Sequence, residues 1–345
     1  MRKLWITFLK DSKLSFSGLY FYIEIAMALI FIAVMLFVVP ENFDRRQTLF
    51  VNVELAEPAK STILQQLGQG ETKVVIFDSK DEVKQALAKT RSAVGVSIEQ
   101  ISGRITYEMI LQGFESLQMR KVLQVSMEGA MLAVLPGYVN YTDTTVLEKQ
   151  SERLTDRQQI LPIYLTINVA FMGLFIIAAY IFLDKEEGTI RAFAVAPVQV
   201  WQYLASKMLI MLIIGTLSSV LVVVALVGTQ VPFLLLLGLV ASFNLFGTAL
   251  GLLISSFFDS MAKAMGALYL AVIVLMLASV SYYMPSFNPI WIKWLPSYSM
   301  LFSFREILLV HGNRAYCISQ MWLFLLFGLG IFLLANYRFK RTLTV

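Results

Sequence analysis

The feature that most constrains this chain is a set of six long apolar stretches. Each is close to 20 residues or longer, the length of helix that crosses the roughly 30 Å hydrocarbon core of a bilayer. The chain is 58% hydrophobic and 15% charged, whereas soluble domains carry about 25% charged residues. We therefore predict an α-helical polytopic membrane protein with six transmembrane helices. The predicted spans are Tyr20–Val39, Leu161–Leu183, Met208–Gly228, Pro232–Phe258, Met265–Tyr283 and Ser319–Tyr337.

Lysine and arginine residues concentrate on one side of this predicted topology. The short loops on the opposite side contribute only three basic residues, Lys293, Arg305 and Arg314. Because basic residues are retained in cytoplasmic loops, both termini and the loop after the second span are predicted to be cytoplasmic. The basic residues on that side are Arg2, Lys3, Lys10, Lys13, Lys185, Arg191, Lys207, Lys263, Arg338, Lys340 and Arg341.

The segment 40–160 interrupts the apolar pattern and predicts a small α/β domain outside the cytoplasm, between spans one and two. Its strand signals are short runs rich in β-branched residues. A helix follows Asp78 or Ser79, either of which can cap it, with Val83 and Leu87 on one face. The predicted strands are LFVNVEL, KVVIFDS, AVGVSIE and RITYEMIL, and a longer helix follows in ESLQMRKVLQVSMEGAMLAVL.

Residues 1–19 are predicted to form a helix lying on the inner leaflet. Leu4, Trp5, Phe8 and Leu9 share one helical face, as in interfacial helices. A disordered basic tail is the alternative. Glu24 lies about five residues into span one, and an ionisable residue inside a span marks a candidate substrate pathway or gate. At this shallow position its carboxylate could also reach the headgroups.

Two further regions contain candidate pathway or gate residues. Asn244 lies one turn before Gly247 and Gly251, a small-residue motif that suits either packing within the chain or a dimer face. Segment 284–318 is divided by prolines and predicts a re-entrant piece in the outer leaflet. Pro296, Arg305 and Glu306 are its candidate residues.

Several kinds of chemistry have no support in the sequence. There is no G-x-x-x-x-G-K-[ST] loop to bind nucleotide phosphates. One cysteine, Cys317, and one histidine, His311, exclude a Cys-based or His-cluster metal site. The chain is therefore predicted to be no enzyme and to bind no cofactor or nucleic acid itself. Any energised work requires another polypeptide or an ion gradient.

The segment 184–207, DKEEGTIRAFAVAPVQVWQYLASK, resembles the cytoplasmic segment of type-2 ABC exporter permeases. The residues that carry this resemblance are Lys185, Glu186, Glu187, Gly188, Thr189, Pro197 and Lys207. A second region, at Pro296, Arg305 and Gly312, is also similar to the family, and so is the order of one span, a large domain and five spans. The Ser-Gly found after span five in many members is absent here.

The resemblance implies a subunit of the larger-extracellular-domain subgroup in a bacterial cytoplasmic (inner) membrane. Two permease chains, identical or different, would each dock on a cytosolic ATP-binding subunit that binds ATP and Mg²⁺. Ile190 and Phe193 form an apolar stripe suited to a groove on that subunit. Asp184–Glu187 are interpreted as carboxylates at a helix start, and Pro197 as a bend. A solvated turn is the alternative.

The implied function is ATP-driven export of a hydrophobic or amphipathic substrate, such as a drug, a lipid or a lipid-linked molecule, from the cytoplasm or inner leaflet. Membrane lipid and an extracytoplasmic adaptor are further expected partners. Two alternatives stay open. The chain could relay ATPase motion to an extracytoplasmic partner without carrying a substrate, or it could be a transporter or sensor that works without an ATPase.

Overall fold

The chain forms two compact units, Met1–Phe43 with Gln150–Val345, and Asp44–Lys149. The computed structural model describes residues 2–17, 19–42, 48–57, 59–67, 73–90, 93–101, 104–112, 117–132, 154–189, 199–284 and 287–343.

All regular secondary structure in the described residues of the first unit is helical. Five of its helical stretches are long and apolar enough to cross a membrane, and Tyr22–Phe37 is a shorter apolar stretch. The prediction of a helical multi-pass protein is confirmed, whereas six spans remain a prediction. The helices are α1 (Arg2–Ser17), α2 (Leu19–Phe37), α6 (Leu161–Thr166), α7 (Gly173–Glu186), α8 (Val200–Leu226), α9 (Phe233–Ser255), α10 (Met261–Tyr283), α11 (Ile290–Lys293), α12 (Pro296–Leu308) and α13 (Arg314–Leu343).

Helix α9 lies at the centre of this unit because its glycines let neighbours approach closely. A Cβ atom at Gly247 would lie 2.2 Å from the Ala170 carbonyl oxygen, and one at Gly251 would lie 2.5 Å from that of Leu174. Small residues in apolar helices allow such backbone contact. The Gly247 and Gly251 face is therefore packed within the chain.

The second predicted span is one continuous helical stretch, Gln158–Glu186, with a wide turn inside it. A 3₁₀ turn at Gln158–Ile160 leads into α6, and the π-helical turn Ile167–Met172 separates α6 from α7. Insertions of this kind change the direction of the following side chains and are frequent at functional sites. Here the turn contains a buried asparagine, Asn168.

Segment 284–318 contains the short helices α11 and α12 before α13 begins. The Phe243 ring of α9 meets the ring of Phe304 in α12 edge-on at 5.2 Å, and the ring of Phe324 in α13 at 4.9 Å. Edge-to-face pairs of this kind favour one packing arrangement. A buried aromatic cluster thus joins α12 to the helices around it, while the outer-leaflet position of the segment remains a prediction.

The second unit is built on a four-stranded sheet in the order β2-β1-β3-β4. Strand β1 pairs in parallel with β2 and β3, and β3 pairs antiparallel with β4. The predicted strands are confirmed. The elements are β1 (Thr48–Glu54), α3 (Ala59–Leu67), β2 (Lys73–Phe77), α4 (Lys80–Lys89), β3 (Ala93–Ile101), β4 (Arg104–Ile110) and α5 (Leu117–Leu132).

Both faces of the sheet are covered by helices. Phe50 packs with Val83 and Leu87 of α4, whereas Val51 packs on the other face with Ile63 of α3 and Met127 of α5. Neighbouring residues of a strand point to opposite faces, so this alternation separates the two cores. Of the two predicted caps of α4, the structure shows Ser79, whose side chain accepts from the Glu82 backbone N–H.

Candidate functional site

The two ends of segment 184–207 are joined by a buried ion pair. Lys207 Nζ lies 2.6 Å from Asp184 Oδ2, and the Asp184 and Lys207 side chains are only 13% and 7% exposed. The Tyr203 hydroxyl donates to the same carboxylate oxygen. Asp184 is in the last turn of α7 and Lys207 is in the second turn of α8. The segment is therefore closed at its base by a charge-assisted contact between two helices.

Helix α1 joins the same group through Asp11. Ser206 Oγ donates to Asp11 Oδ2 at 2.6 Å, and both side chains are buried. Burial raises the pKa of the Asp11 carboxyl, and the neighbouring Lys207 ammonium partly opposes that rise. Five residues thus form one polar group, which we call the basal cluster. Its members are Asp11, Asp184, Tyr203, Ser206 and Lys207.

Lys185 connects the same turn of α7 to the end of α9. Its ammonium donates to the carbonyl oxygens of Ser255 at 2.8 Å and Phe258 at 2.5 Å. It also lies 5.0 Å from the centre of the Phe182 ring. A cation suits the unpaired carbonyls at a helix C-terminus. The structure therefore places this predicted interface residue against its own chain, and any contact of Lys185 with a partner remains a prediction.

The charged run Asp184–Glu187 lies at the end of α7. Helix α7 continues to Glu186, and Gly188 follows with φ of 72°, a left-handed conformation that favours glycine. Thr189, directly after Gly188, is helical again. The interpretation of Asp184–Glu187 as carboxylates at a helix start therefore stays a prediction, because the residues that follow Thr189 lie outside the described part of the chain. Glu186 and Glu187 are exposed, and Thr189 is half-buried. Ile190, Phe193 and Pro197 lie outside the described residues.

Glu24 lies deep inside the helical unit. Ser218 Oγ is 3.2 Å from Glu24 Oε1, and Glu24 is only 3% exposed. Ser218 comes eleven residues after Lys207 on α8, which corresponds to about 17 Å at 1.5 Å per residue. The Glu24 side chain is therefore buried among the helices, while its depth in the membrane remains a prediction. The carboxyl faces α8 and is far from the basal cluster.

Asn244 lies close to Glu24, on the other side of Gly215. A Cβ atom at Gly215 would lie 3.1 Å from Asn244 Nδ2 and 3.9 Å from Glu24 Oε1. The Asn244 amide donates to the carbonyl oxygens of Val169 at 3.2 Å and Met211 at 3.4 Å. It therefore holds the π-helical turn and α8 against α9.

Asn244 also lines a groove of about 250 Å³ between α8, α9 and α13. Thr248 is the other polar residue in its wall, and its hydroxyl donates to the Asn244 carbonyl oxygen at 2.6 Å. The remaining lining residues are apolar, so the groove suits a hydrocarbon group better than a polar one. They are Ala205, Met208, Leu209, Leu212, Ala241, Leu245, Leu329 and Phe332.

Pro296, Arg305 and Glu306 form a separate group around α12. Pro296 occupies the first turn of the helix, where a missing N–H is tolerated. Arg305 Nη1 lies 4.0 Å from Glu306 Oε1. Glu306 Oε2 accepts from the Asn313 backbone N–H at 2.8 Å. These contacts stabilise the turn between α12 and α13.

Gly312 is the position where that turn demands glycine. A Cβ atom there would lie 1.8 Å from the Glu306 carbonyl oxygen. The spacing of Arg305 and Gly312 that resembles the family is therefore explained by the close packing of this turn.

Sequence reasoning missed Asp11, Asn168, Tyr203, Ser206 and Ser218. Asn168 and Ser218 lie in predicted spans, where a polar side chain requires a partner, and Tyr203 and Ser206 lie in segment 184–207. The adjacent Ser218-Ser219 pair and Asn168 were the available signals. Within the described parts of the chain, no group of three or more His, Cys, Asp and Glu side chains could hold a metal ion.

These features define a multi-pass helical membrane protein that carries a separate α/β unit. The profile of the family described as ABC-2 family transporter protein matches residues 19–337. The chain belongs to this family, and it is a permease subunit of an ABC transporter. Such membrane components generally have no ATPase of their own and work with an ABC ATP-binding partner. Among curated proteins, no match to the chain was found.

Proposed function

We propose that the chain is the permease of an exporter that moves a hydrophobic or amphipathic molecule out of the cytoplasm or inner leaflet. A separate ATP-binding subunit would dock on segment 184–207. The buried Asp184–Lys207 pair carries this proposal, because it joins the two ends of the segment to α7 and α8. Movement of the segment would therefore be transmitted to α7 and α8 together.

Further contacts extend that connection to other helices. Ser206 and Asp11 link the base of the segment to α1, and Lys185 links it to the end of α9. Exposed Glu186 and Glu187 lie beside these buried contacts. This arrangement supports an exposed docking surface on the segment and a rigid, buried base beneath it. Transmission of motion requires both.

The substrate class is proposed from the groove beside Asn244. Its wall is apolar except for Asn244 and Thr248, so it favours a hydrocarbon chain with at most one polar contact. The proposal includes a bacterial cytoplasmic membrane, cytoplasmic termini and six spans, which the distribution of basic residues supports. It also includes a second permease chain and membership of the larger-extracellular-domain subgroup, with the α/β unit outside the cytoplasm and α1 on the inner leaflet.

A co-purification experiment tests the docking. The chain is expressed together with the products of its neighbouring genes, purified through a tag on the permease, and assayed for a bound ATP-binding subunit. Changing Ile190 and Phe193 together to Asp is expected to remove most of the bound subunit, since the apolar stripe is lost. A matched double change at exposed positions, Phe287→Asp with Ile290→Asp, is expected to retain it. Full retention in the first variant would contradict the docking role.

The relay of ATPase motion to an extracytoplasmic partner is the second candidate. Val122 and Val125 on α5 are 63% and 67% exposed, and they offer an apolar contact for an adaptor. Vesicles containing the permease and its ATPase distinguish the candidates. ATP-dependent movement of an amphipathic dye supports the exporter, whereas an ATPase that responds to an added adaptor without moving any dye supports the relay.

A further inference from the structure

The Ser218 hydroxyl, which contacts Glu24, has three hydrogen-bond acceptors within reach. The Ser218 hydroxyl lies 3.2 Å from Glu24 Oε1, 2.9 Å from Asn168 Oδ1 and 3.2 Å from the Gly215 carbonyl oxygen. A hydroxyl has one hydrogen to donate. The Ser219 hydroxyl adds a weak contact of 3.4 Å to Asn168 Oδ1 and not to Glu24. An ionised Glu24 would therefore compete for the single Ser218 hydrogen.

The described residues provide no cation to compensate a negative charge at this position. Among the described residues, no Lys, Arg or His forms an ion pair with Glu24. Lys207 of α8 is paired with Asp184 at the far end of the helix. On α1, Asp11 accepts from Ser206 and Lys10 is exposed. Tyr164 of α6 is the titratable side chain that faces Glu24.

We propose that Glu24 binds a proton and that its carboxylic acid is the first donor of a buried hydrogen-bond chain. The acid O–H donates to Ser218 Oγ, and the Ser218 hydroxyl then donates to Asn168 Oδ1. The Asn168 amide in turn lies 3.5 Å from the Tyr164 hydroxyl oxygen and donates to it. Each donor then has its own acceptor. The ligand of this site is a proton, and the site exists whether or not the chain exports a substrate.

The reversed orientation of the Asn168 amide does not remove the need for this proton. Its nitrogen would then donate to Ser218, which could donate to a Glu24 carboxylate. That carboxylate would rest on a single hydroxyl, with no cation from the described residues, at a position 3% exposed and deep within the helices. An unpaired charge in such a place is far more costly than a neutral acid.

The hydrogen-bond chain that begins at the protonated Glu24 connects three elements of the fold. Glu24 belongs to α2, Ser218 to α8, and Asn168 to the π-helical turn, whose wider backbone directs its side chain to this point. When α2 separates from α8 and water enters, the acid O–H bond breaks and the proton passes to water. The contact between α2 and α8 is therefore stable while Glu24 is protonated.

Infrared spectroscopy of the full-length chain in lipid nanodiscs tests the proposal. At neutral pH an exposed glutamate, with a pKa of about 4.3, is ionised. We expect one carboxylic-acid C=O band at neutral pH that shifts when glutamate is labelled with ¹³C. The band should vanish in Glu24→Gln and remain in Glu41→Gln, which alters an exposed glutamate. Absence of the band in the wild-type chain overturns the proposal.

A second pair of variants decides the matter if Glu24→Gln does not fold. Ser218→Ala removes the acceptor of the acid, and we expect the band to move to higher frequency. Ser219→Ala, which alters a hydroxyl that does not touch Glu24, should leave the frequency unchanged. An unshifted band in Ser218→Ala overturns the hydrogen-bond chain. Loss of the band in sodium chloride but not in choline chloride would show a metal-cation site in place of the proton.

Discussion

Single glycines control how closely the helices of this permease approach one another. Because a Cβ atom at Gly247 would lie 2.2 Å from the Ala170 carbonyl oxygen, a side chain there forces α9 away from the π-helical turn. We expect Gly247→Ala to lower the free energy of unfolding by about 1–3 kcal/mol, the usual cost of overpacking. Thermal unfolding of the purified chain in nanodiscs measures the change.

Gly266 of α10 provides the matched control for that substitution. A Cβ atom at Gly266 would have no other atom within 4 Å, so Gly266→Ala should be neutral or stabilise the helix by up to about 1 kcal/mol. Equal effects of the two substitutions would show that the backbone contact at Gly247 is not required.

Asp11 makes stability depend on pH in a defined direction. Burial raises its pKa above the ordinary value of 3.8, so the folded chain keeps a proton that the unfolded chain releases. The stabilisation from the Asp11 carboxyl is complete below pH 3.8, the ordinary pKa of the group. It is lost as the pH rises through the higher pKa that Asp11 has in the folded chain. Asp11→Asn, which can still accept from Ser206, should flatten the dependence of the unfolding midpoint on pH in that window.

The control for Asp11 is Asp259→Asn, because the Asp259 side chain is 91% exposed. That variant should follow the wild-type pH profile. If Asp11→Asn also follows it, Asp11 titrates in the folded chain as it does in water.

At the scale of elements, the basal cluster joins α1, α7 and α8 through one buried cation. Lys207→Met leaves Asp184 without its partner in a site where the two side chains are 13% and 7% exposed. Removing one member of a buried pair costs about 3–5 kcal/mol. We therefore expect a large fall in the free energy of unfolding, measured by thermal or denaturant unfolding, and a weaker response of the ATPase to the permease.

An exposed ion pair on the same unit provides the comparison. Lys263 and Asp259 are 3.7 Å apart with side chains 68% and 91% exposed, so Lys263→Met should cost about 0–1 kcal/mol. The double variant Asp184→Asn with Lys207→Met should regain part of the stability lost in Lys207→Met. Equal losses at Lys207 and Lys263 would contradict a structural role for the buried pair.

The elements were more predictable than their ends and contacts. Apolar length located the spans, because a 20-residue apolar run has few other stable folds. The end of α7 was misjudged, because Asp184 and Lys185 look like loop residues until their partners Lys207 and Ser255 are known. Those partners are distant in sequence, and no periodic pattern encodes such pairings. The partner of Glu24 could not be predicted for the same reason, since only the path of α8 beside α2 places it next to Ser218.

At the scale of the whole molecule, the chain leaves the helical unit and returns to it at neighbouring points. The Arg157 backbone N–H donates to the Glu41 carbonyl oxygen at 3.2 Å, and Arg157 Nε donates to the Val39 carbonyl oxygen at 3.1 Å. All three residues belong to the helical unit. The α/β unit is therefore inserted between two positions that the helical unit already holds together, and its own two cores lie within Asp44–Lys149.

This arrangement predicts that the α/β unit can be removed without loss of the helical fold. Joining Asn42 to Leu154 through a Gly-Ser linker of about four residues, which spans roughly 10–12 Å, should give a chain that inserts, purifies and binds the ATP-binding subunit. Its unfolding midpoint should stay within a few degrees of the full chain. Adding Arg157→Ala should lower that midpoint further than the same change does in the full chain, because the linker then holds the junction alone. Degradation or aggregation of the shortened chain in nanodiscs would instead show that the helical fold requires the α/β unit.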